Sequence, residues 1–472
     1  MVLRHNCGLA VAHTLHDVYS FIKSLQHRGR EAAGIAAISN DKIDVVKWSG
    51  PVNTFDIVDL HKILPGHNYH TYMAHVRYAT RGRKDKILED AHPHTIGGEV
   101  IDKGNHVLVL GCQMAAVHNG QINDEYLSCI DKGLLKTECD TEAFLHLYRN
   151  KGEHEILKTV PAAYTIAIAD IRKQGVVVLR DRTGIKPGCL GWKDGKYCVA
   201  SEDIALRKNG AEFIEDIDPG SIYTFTSDGN IMQPEQVVEP KPRYCFFEWA
   251  YLADKDSVLN GVLVRAVREM LGEACACEFP EDIDAISYLP RCPETAAQAF
   301  KKVRKIPFVH VFYKMRGERS FQGSTLEERT RSIESNLHLL PGVRQIIKGM
   351  RLGNMDDSTV RGNNSKRARY LAYEEGGVAK CHHINYTPPI GIMGEDGEPR
   401  GCMFGVDMAP DDEFIARDKK SRRNRTLEEI SNELGMPVWY ISREGHLRAF
   451  EAAGIKRENL CTYCIGGSSP LC

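Results

Sequence analysis

The hydrophobic pattern changes character partway along the chain, and that change restricts the fold more than composition does. Before residue 232, β-rich runs such as "YHTYMAHVRYAT", "HVLVLG", "AYTIAIAD", "GVVVLRD" and "YCVASED" follow one another with turns and few helices between them, as strands of an all-sheet core do. One helix stands out there, with Leu15, Val18, Ile22 and Leu25 at helical spacing. Beyond residue 245, helical stretches alternate with strands such as "DAISYLP" and "IPFVHVFY", the pattern of an α/β domain built on a parallel sheet. "SVLNGVLVRAVREMLGE" opens this half with Leu263, Val267, Met270 and Leu271 on one helical face. Pro234, Pro240 and Pro242 mark the seam between the two patterns. Farther on, "DKKSRRNRTLEEI" reads as a charged run entering a helix capped by Thr426, with Glu429 three residues later. A chain of 472 residues has room for both cores.

Charge narrows the partners. With 61 basic and 63 acidic residues, nothing draws the chain electrostatically to nucleic acid or to a membrane surface. No apolar run approaches the roughly 20 residues of a spanning helix, and the expected compartment is the cytoplasm. Fifteen cysteines, an odd number without a secretory pattern, argue against a disulfide framework. They are therefore sorted into nucleophile, ligands and packing residues.

The nucleophile candidate is Cys7 in "MVLRHNCGLA". A thiol attacks as thiolate and needs a base. An N-terminal cysteine supplies one through its own α-amine, whose pKa near 8 leaves it partly neutral, so residues 1–6 are expected to be a removable propeptide. Other segments carry the residue types that amide cleavage needs. Arg77 in "HVRYAT" suits a carboxylate, and Asp140 in "CDTE" suits an ammonium group. Asn119 and Gly120 in "HNG" offer two donors to an oxyanion.

In this order, "LQHRGREAAGIA", "HVRYAT", "HNGQINDEYL", "CDTEAFLHLY", "RDRTGIKP" and "ASED" resemble the glutaminase domain of class II amidotransferases. The resemblance implies an N-terminal nucleophile αββα sandwich over residues 7–240. It makes Cys7 the nucleophile and Asn119 with Gly120 the oxyanion hole, and it has Arg77 and Asp140 hold glutamine. Two departures stand out. Arg30 replaces a glutamine, and "DAHPH" replaces the usual "NAQPF", which is expected to alter a loop over the substrate.

In the second half, "GNMDDSTVRGNNSKRARYL" places two adjacent acids before a small polar turn and a helix. Acids of this kind can bind a ribose diol and a divalent ion, and N–H groups at a helix start can cradle a phosphate. The run resembles the phosphoribosyl pyrophosphate loop of type I phosphoribosyltransferases. Its surroundings, "FFEWAYLADKDS", "YKMRGERSF", "GGVAKCHHINYTPPI" and "CMFGVDM", resemble the glutamine phosphoribosylpyrophosphate amidotransferases of purine synthesis. That likeness implies a phosphoribosyltransferase α/β domain over 241–472. It assigns Asp356 and Asp357 to ribose and Mg2+, and Ser358, Thr359, Arg361, Gly362, Asn363 and Asn364 to the 5-phosphate. Lys314 and Arg319 go to the pyrophosphate, and Tyr78 to coupling between the sites. Here too there are departures: Asn363 and Asn364 stand where relatives carry threonines, and Arg291 and Cys292 stand where they carry Asp-Ser.

Cys461 and Cys464 form a CxxC, and with Cys245 and Cys402 they match the four cysteines of the family's iron-sulfur branch, which also carries a short propeptide. Four thiolates suit a 4Fe-4S cluster, or zinc as the physical alternative. The remaining cysteines, Cys139 among them, are read as packing or surface residues, and His75 and His118 as structural. The implied reaction hydrolyses glutamine and passes ammonia to phosphoribosyl pyrophosphate, giving 5-phosphoribosylamine, glutamate and pyrophosphate. Purine nucleotides are the expected inhibitors, and a homo-oligomer, dimer or tetramer, the expected assembly. A glutaminase with a decayed transferase half, or a nucleotide-binding scaffold keeping the fold, are the rival readings.

Overall fold

Alternate residues of each early strand face opposite ways, and this alternation sorts the side chains into three cores. Ala10, Ala12, Ala74 and Val76 face Val18, Phe21 and Ile22 of the helix Leu15–Ser24. Their neighbours Leu9, Val11 and Met73 face a second layer of strands through Val117, Ala167, Ala169 and Val178. On the far side of that layer, Tyr164, Ile166 and Ile168 meet Phe144, Leu145 and Tyr148 of the helix Asp140–Thr159. The layers thus run helix, sheet, sheet, helix, an αββα sandwich. The structure, a computed structural model, describes residues 7–65, 68–77, 86–173, 175–314, 336–406 and 408–471.

One long strand, His106–Gln121, stitches the layers together. Its first part pairs with Ile43–Ser49 and its last with Ala163–Asp170, which delivers Asn119 and Gly120 to the end of the sandwich where Cys7 begins the first strand. Helix Leu15–Ser24 starts where Thr14 accepts the Asp17 N–H, an N-cap that satisfies one orphan donor.

The second half is a parallel sheet in the order Ala285–Tyr288, Arg351–Asp356, Lys380–Asn385, Val438–Tyr440. One face carries Val267, Leu271, Phe300 and Phe450 from three helices against Ile286, Met355 and Ile384. The other carries Ala368, Ile430 and Leu434 against Leu352, Cys381 and Val438. The helix Leu427–Leu434 has the expected capping box between Thr426 and Glu429.

Two local expectations shift. The helix Val264–Glu278 buries Val264, Val267, Leu271 and Cys275, while Leu263 lies just before it and is 38% exposed. Leu263 ends a two-residue strand and acts as the cap, so the buried face begins one residue later. "IPFVHVFY" does not extend the parallel sheet either. It gives a single bridge at Phe308, then Phe312–Lys314 pairs antiparallel with Leu337–Leu339. Pro307 has no N–H to offer a ladder at that point.

The halves share apolar packing. Ala163 and Ile185 of the sandwich sit in one core with Phe246, Trp249 and Phe404.

Candidate active sites

Gly8 pairs with Val76 on the neighbouring strand, so one step along the register sets Cys7 beside Arg77. His75 Nε2 meets the His118 carbonyl at 3.0 Å, tying this strand to the one bearing Asn119. Arg77, 1% exposed, donates to the Ile87 carbonyl at 3.2 Å and stands 3.5 Å from the Asp90 carboxylate. Its Nε has no hydrogen-bond partner among the described residues. Asn119 is fully buried, and both atoms of its side-chain amide lack a partner there. Buried polar groups in that state cost about 1–3 kcal/mol each, a cost that a bound ligand removes.

Gly120 has φ +151°, and a Cβ there would lie 2.0 Å from the Ala163 carbonyl oxygen. Only glycine fits this strand end. Asp140 opens its helix and accepts the Ile122 N–H at 2.9 Å. Burial pushes its pKa up to about 6, against hydrogen bonds from Ile122, Cys139 and Thr141 that favour the anion.

A buried ion network underlies Cys7, and sequence reasoning named its motifs without assigning the residues a role. Arg28 donates to the Cys7 carbonyl at 2.9 Å, to Glu202 at 2.6 Å and to Glu248 at 2.9 Å. Lys186 reaches Glu248 at 3.1 Å. Burial alone would raise the Glu202 pKa, but His27 and Arg28 outweigh it and hold the carboxyl far below its usual range. Glu248 begins the π-helical turn Glu248–Leu252 of the second half. Arg268 donates to the Trp249 carbonyl of that turn at 2.9 Å and lies near enough to Asp357 to favour its anion. Tyr386 donates to the Ala250 carbonyl at 2.7 Å, and its own N–H reaches the Asp356 carbonyl at 3.2 Å. One short turn therefore touches the surroundings of both candidate sites. Close by, a Cβ on Gly405 would lie 3.3 Å from the Gly120 Cα, so the Cys402 segment also abuts the strand bearing Asn119 and Gly120.

Asp356 and Asp357 end the central strand at the carboxyl edge of the parallel sheet, where α/β folds bind ligands. Burial raises both pKa values, and for Asp356 the Asp357 charge adds to the rise. Lys314 lies within electrostatic reach of both acids and of Arg291 and Cys292; burial lowers its pKa while the acids oppose the fall. Gly362 caps the helix Asn363–Tyr370. Within the loop, four side chains are already engaged, whereas the Asn364 Oδ1 is buried with no hydrogen-bond partner among the described residues. Thr359 donates to Asn385 at 2.7 Å and meets His383 at 3.0 Å, Ser365 meets His383 at 3.1 Å, Arg361 reaches Asp412 at 3.2 Å, and Ser358 donates to Asp357 at 3.0 Å. Arg319, Tyr78, Cys472 and residues 1–6 lie outside the described residues.

Cys245, Cys402, Cys461 and Cys464 converge although they span 220 positions. Cys245 and Cys461 are paired on parallel strands, and all four line one pocket with Ile185, Phe247, Phe404, Val406, Met408 and Tyr463. The Cys402 sulfur accepts the N–H groups of Phe404 at 3.4 Å and Val406 at 3.3 Å. Among the described residues, one trio of candidate metal ligands has all its ligand atoms within 4.8 Å of one another. It is His92, His94 and Cys139, not any three of these four cysteines.

With this geometry in place, comparison with known proteins gives a consistent picture. The glutamine amidotransferase domain family matches residues 103–242. The amidophosphoribosyltransferase of Methanocaldococcus jannaschii is 30% identical over 96% of this chain and 94% of its own length, and that of Archaeoglobus fulgidus is 29% identical with the same coverage. The fold superposes on the glutamine phosphoribosylpyrophosphate amidotransferase from B. subtilis complexed with ADP and GMP with a TM-score of 0.79, at 24% identity, covering 98% of this chain and 97% of that one. The chain therefore belongs to the amidophosphoribosyltransferase family, whose members are glutamine-dependent pentosyltransferases.

Proposed function

We propose that the family's reaction, glutamine hydrolysis with transfer of ammonia to phosphoribosyl pyrophosphate in the first step of purine synthesis, is divided between the two described sites. Removal of residues 1–6 frees the Cys7 α-amine, which takes the thiol proton as the sulfur attacks the glutamine amide carbon. The carbonyl oxygen becomes an oxyanion held by the Asn119 side-chain amide and the Gly120 N–H. Arg77 binds the α-carboxylate and Asp140 the α-ammonium group. Ammonia leaves, and water hydrolyses the thioester to release glutamate. The observation that carries this reading is the fully buried Asn119, whose whole amide has no partner among the described residues, together with an Arg77 whose Nε also has none there.

Residues 7–240 form the glutaminase domain and 241–472 the phosphoribosyltransferase domain with its C-terminal cysteine segment. In the second domain Asp356 and Asp357 hold the ribose hydroxyls and Mg2+. The fit is electrostatic, since two buried acids with raised pKa values are relieved by a divalent cation. The 5-phosphate rests on the main-chain N–H groups of the 358–365 loop and the helix start, with Asn363 and Asn364 at the mouth, and Lys314 and Arg319 attend the pyrophosphate. Ammonia attacks C1, and pyrophosphate departs to leave 5-phosphoribosylamine.

The four cysteines fit a 4Fe-4S cluster better than one zinc. Around a single zinc, sulfurs stand roughly 3.8 Å apart, closer than any three of these sulfurs come to one another. N–H groups on the Cys402 sulfur and an apolar wall are also what a cluster uses to tune its thiolates. Such a cluster would tie Cys245 to the C-terminal segment and take no part in the bond changes. Purine nucleotides as inhibitors, a homo-oligomer and a cytoplasmic location complete the reading; no helix among the described residues is long and apolar enough to cross a membrane.

One assay tests the whole. Glutamine consumption, with and without phosphoribosyl pyrophosphate, is followed together with pyrophosphate release and the intact mass of the active protein. Active protein beginning at Cys7 and releasing equal glutamate and pyrophosphate is the expected result. Full activity with Met1 retained, or glutamine hydrolysis with no pyrophosphate at any substrate concentration, overturns it.

A further inference from the structure

The "DAHPH" departure and the cysteine of "CDTE" meet in space. His92, His94 and Cys139 are 1%, 3% and 2% exposed, and one ligand atom from each lies within 4.8 Å of the other two. We propose that these three residues form a mononuclear site for a divalent transition metal of the zinc type, set in the wall beside Arg77 and Asp140.

Ring orientation supports the assignment. One nitrogen of His94 is bonded to the Asp90 backbone, while its Nε2 has no hydrogen-bond partner among the described residues. A metal-binding histidine is held in this way, one ring nitrogen donating to a carbonyl and the other left as ligand. His92 Nε2 lies 2.9 Å from the Thr141 hydroxyl, which donates to Asp140 at 3.3 Å and so can accept from the ring. His92 and His94 pack edge to face at 4.8 Å between ring centroids, and His75 packs against His92 at 4.1 Å, so neither ring is free to turn away. Cys139, whose thiol donates to Asp140 at 3.6 Å, would release that proton to solvent on binding a metal; two imidazoles and a thiolate are then a borderline-soft donor set, which selects zinc, cobalt(II) or nickel over magnesium or calcium. Local charge agrees. Asp90, Asp140 and Glu142 face Arg77 and Lys47 across this wall, three formal negatives against two positives, and a divalent metal on one thiolate adds the missing positive. The fourth ligand would be water.

The ion would clamp the segment carrying Asp90 to the start of the Asp140 helix, and this holds whatever substrate the pocket takes. Its binding is measured on the full chain, purified without oxygen, stripped with a mild chelator and titrated with zinc or cobalt(II). The reference is the double variant His92→Gln, His94→Phe, which carries the residues usual in relatives at these positions and is expected to fold. Wild type should retain about one more zinc per chain than the variant, with equal iron in both. The cobalt difference spectrum should show a thiolate charge-transfer band, and zinc should raise the melting temperature of wild type alone. Cys139→Ser should lose the band while keeping weaker binding. Equal zinc in wild type and double variant, or cobalt uptake without a thiolate band, overturns the proposal.

Discussion

The two candidate sites are built on opposite plans. In the glutamine pocket, side chains wait with unpaired polar atoms: Arg77 through Nε and Asn119 through its whole amide. In the candidate phosphoribosyl site, Thr359, Ser365 and Arg361 have spent their side chains on His383, Asn385 and Asp412, leaving main-chain N–H groups, two uneasy acids and the Asn364 amide, whose Oδ1 has no partner among the described residues, to meet the ligand. On the proposed reading the first site recognises by side-chain identity and tolerates little change, while the second relies more on backbone shape, and the Thr-to-Asn departures at Asn363 and Asn364 test how far that holds.

The largest effects should separate the sites cleanly. Cys7→Ala should abolish glutamine hydrolysis yet leave pyrophosphate release driven by added ammonium salts, whereas Asp356→Asn with Asp357→Asn should abolish pyrophosphate release from either nitrogen source. Loss of the ammonium-driven reaction in a folded Cys7→Ala protein would mean that the sites are not separable. Next in size is Asn119→Ala, expected to lower kcat for glutamine by about 10²–10³-fold with little change in KM, the usual cost of one oxyanion donor. A pure KM effect in steady-state kinetics would make Asn119 a binding residue instead.

The buried network that joins the plans should register as stability. Glu248→Gln removes the charge shared by Arg28 and Lys186, and breaking a buried pair of this kind costs about 3–5 kcal/mol. Urea denaturation of the variant should shift to a lower midpoint, and an unchanged midpoint would show that the network carries no net stability.

The sequence revealed these regions unevenly, for physical reasons. The strands were readable as β-rich runs between turns, but the αββα sandwich followed only from the resemblance, because Leu9–Ala12 is apolar throughout and only the fold parts Leu9 and Val11 from Ala10 and Ala12. Asn119, Gly120, Arg77 and Asp140 could be named as candidates because the residue types they offer sit in short motifs. Glu248 and Lys186 could not, since a salt bridge across 62 positions leaves no spacing to read. Cys139 was read as packing, and the partners proposed for it are no easier to read: it caps the helix Asp140–Thr159, while His94 opens the strand His94–Asp102 with His92 in the bend before it, and only the unusual "DAHPH" hinted at them. Thr359 carries a second layer that its motif did not show: its hydroxyl donates to Asn385 across 26 positions.

A pH profile sharpens the contrast further. Asp140 titrates near 6 because burial opposes its charge, above the unfolded value of about 3.9. Its ionisation therefore costs stability, absent below about pH 3.9 and complete above about pH 6, unless glutamine's ammonium group offsets it. In the free enzyme kcat/KM for glutamine should already fall about tenfold per unit below about pH 8 as the Cys7 α-amine protonates, and the fall should steepen by a further tenfold per unit below about pH 6 as Asp140 protonates; glutamine should raise the melting temperature more at pH 7.5 than at pH 5. Asp140→Asn should be poor at every pH and lose this break. An unchanged break in that variant would assign it to another group.

The smallest effect is the most telling for the second plan. If the loop reads the 5-phosphate through its backbone, Asn363→Thr with Asn364→Thr restores the residues usual in relatives while leaving every N–H at the start of the helix in place. The change then amounts to no more than one neutral hydrogen bond, about 1 kcal/mol, so KM for phosphoribosyl pyrophosphate should move by less than about fivefold with kcat unchanged. A gain of a hundredfold or more would mean that hydroxyls at these two positions do the recognising, that the wild-type site is crippled by their absence, and that the two halves of the molecule are built on the same plan after all.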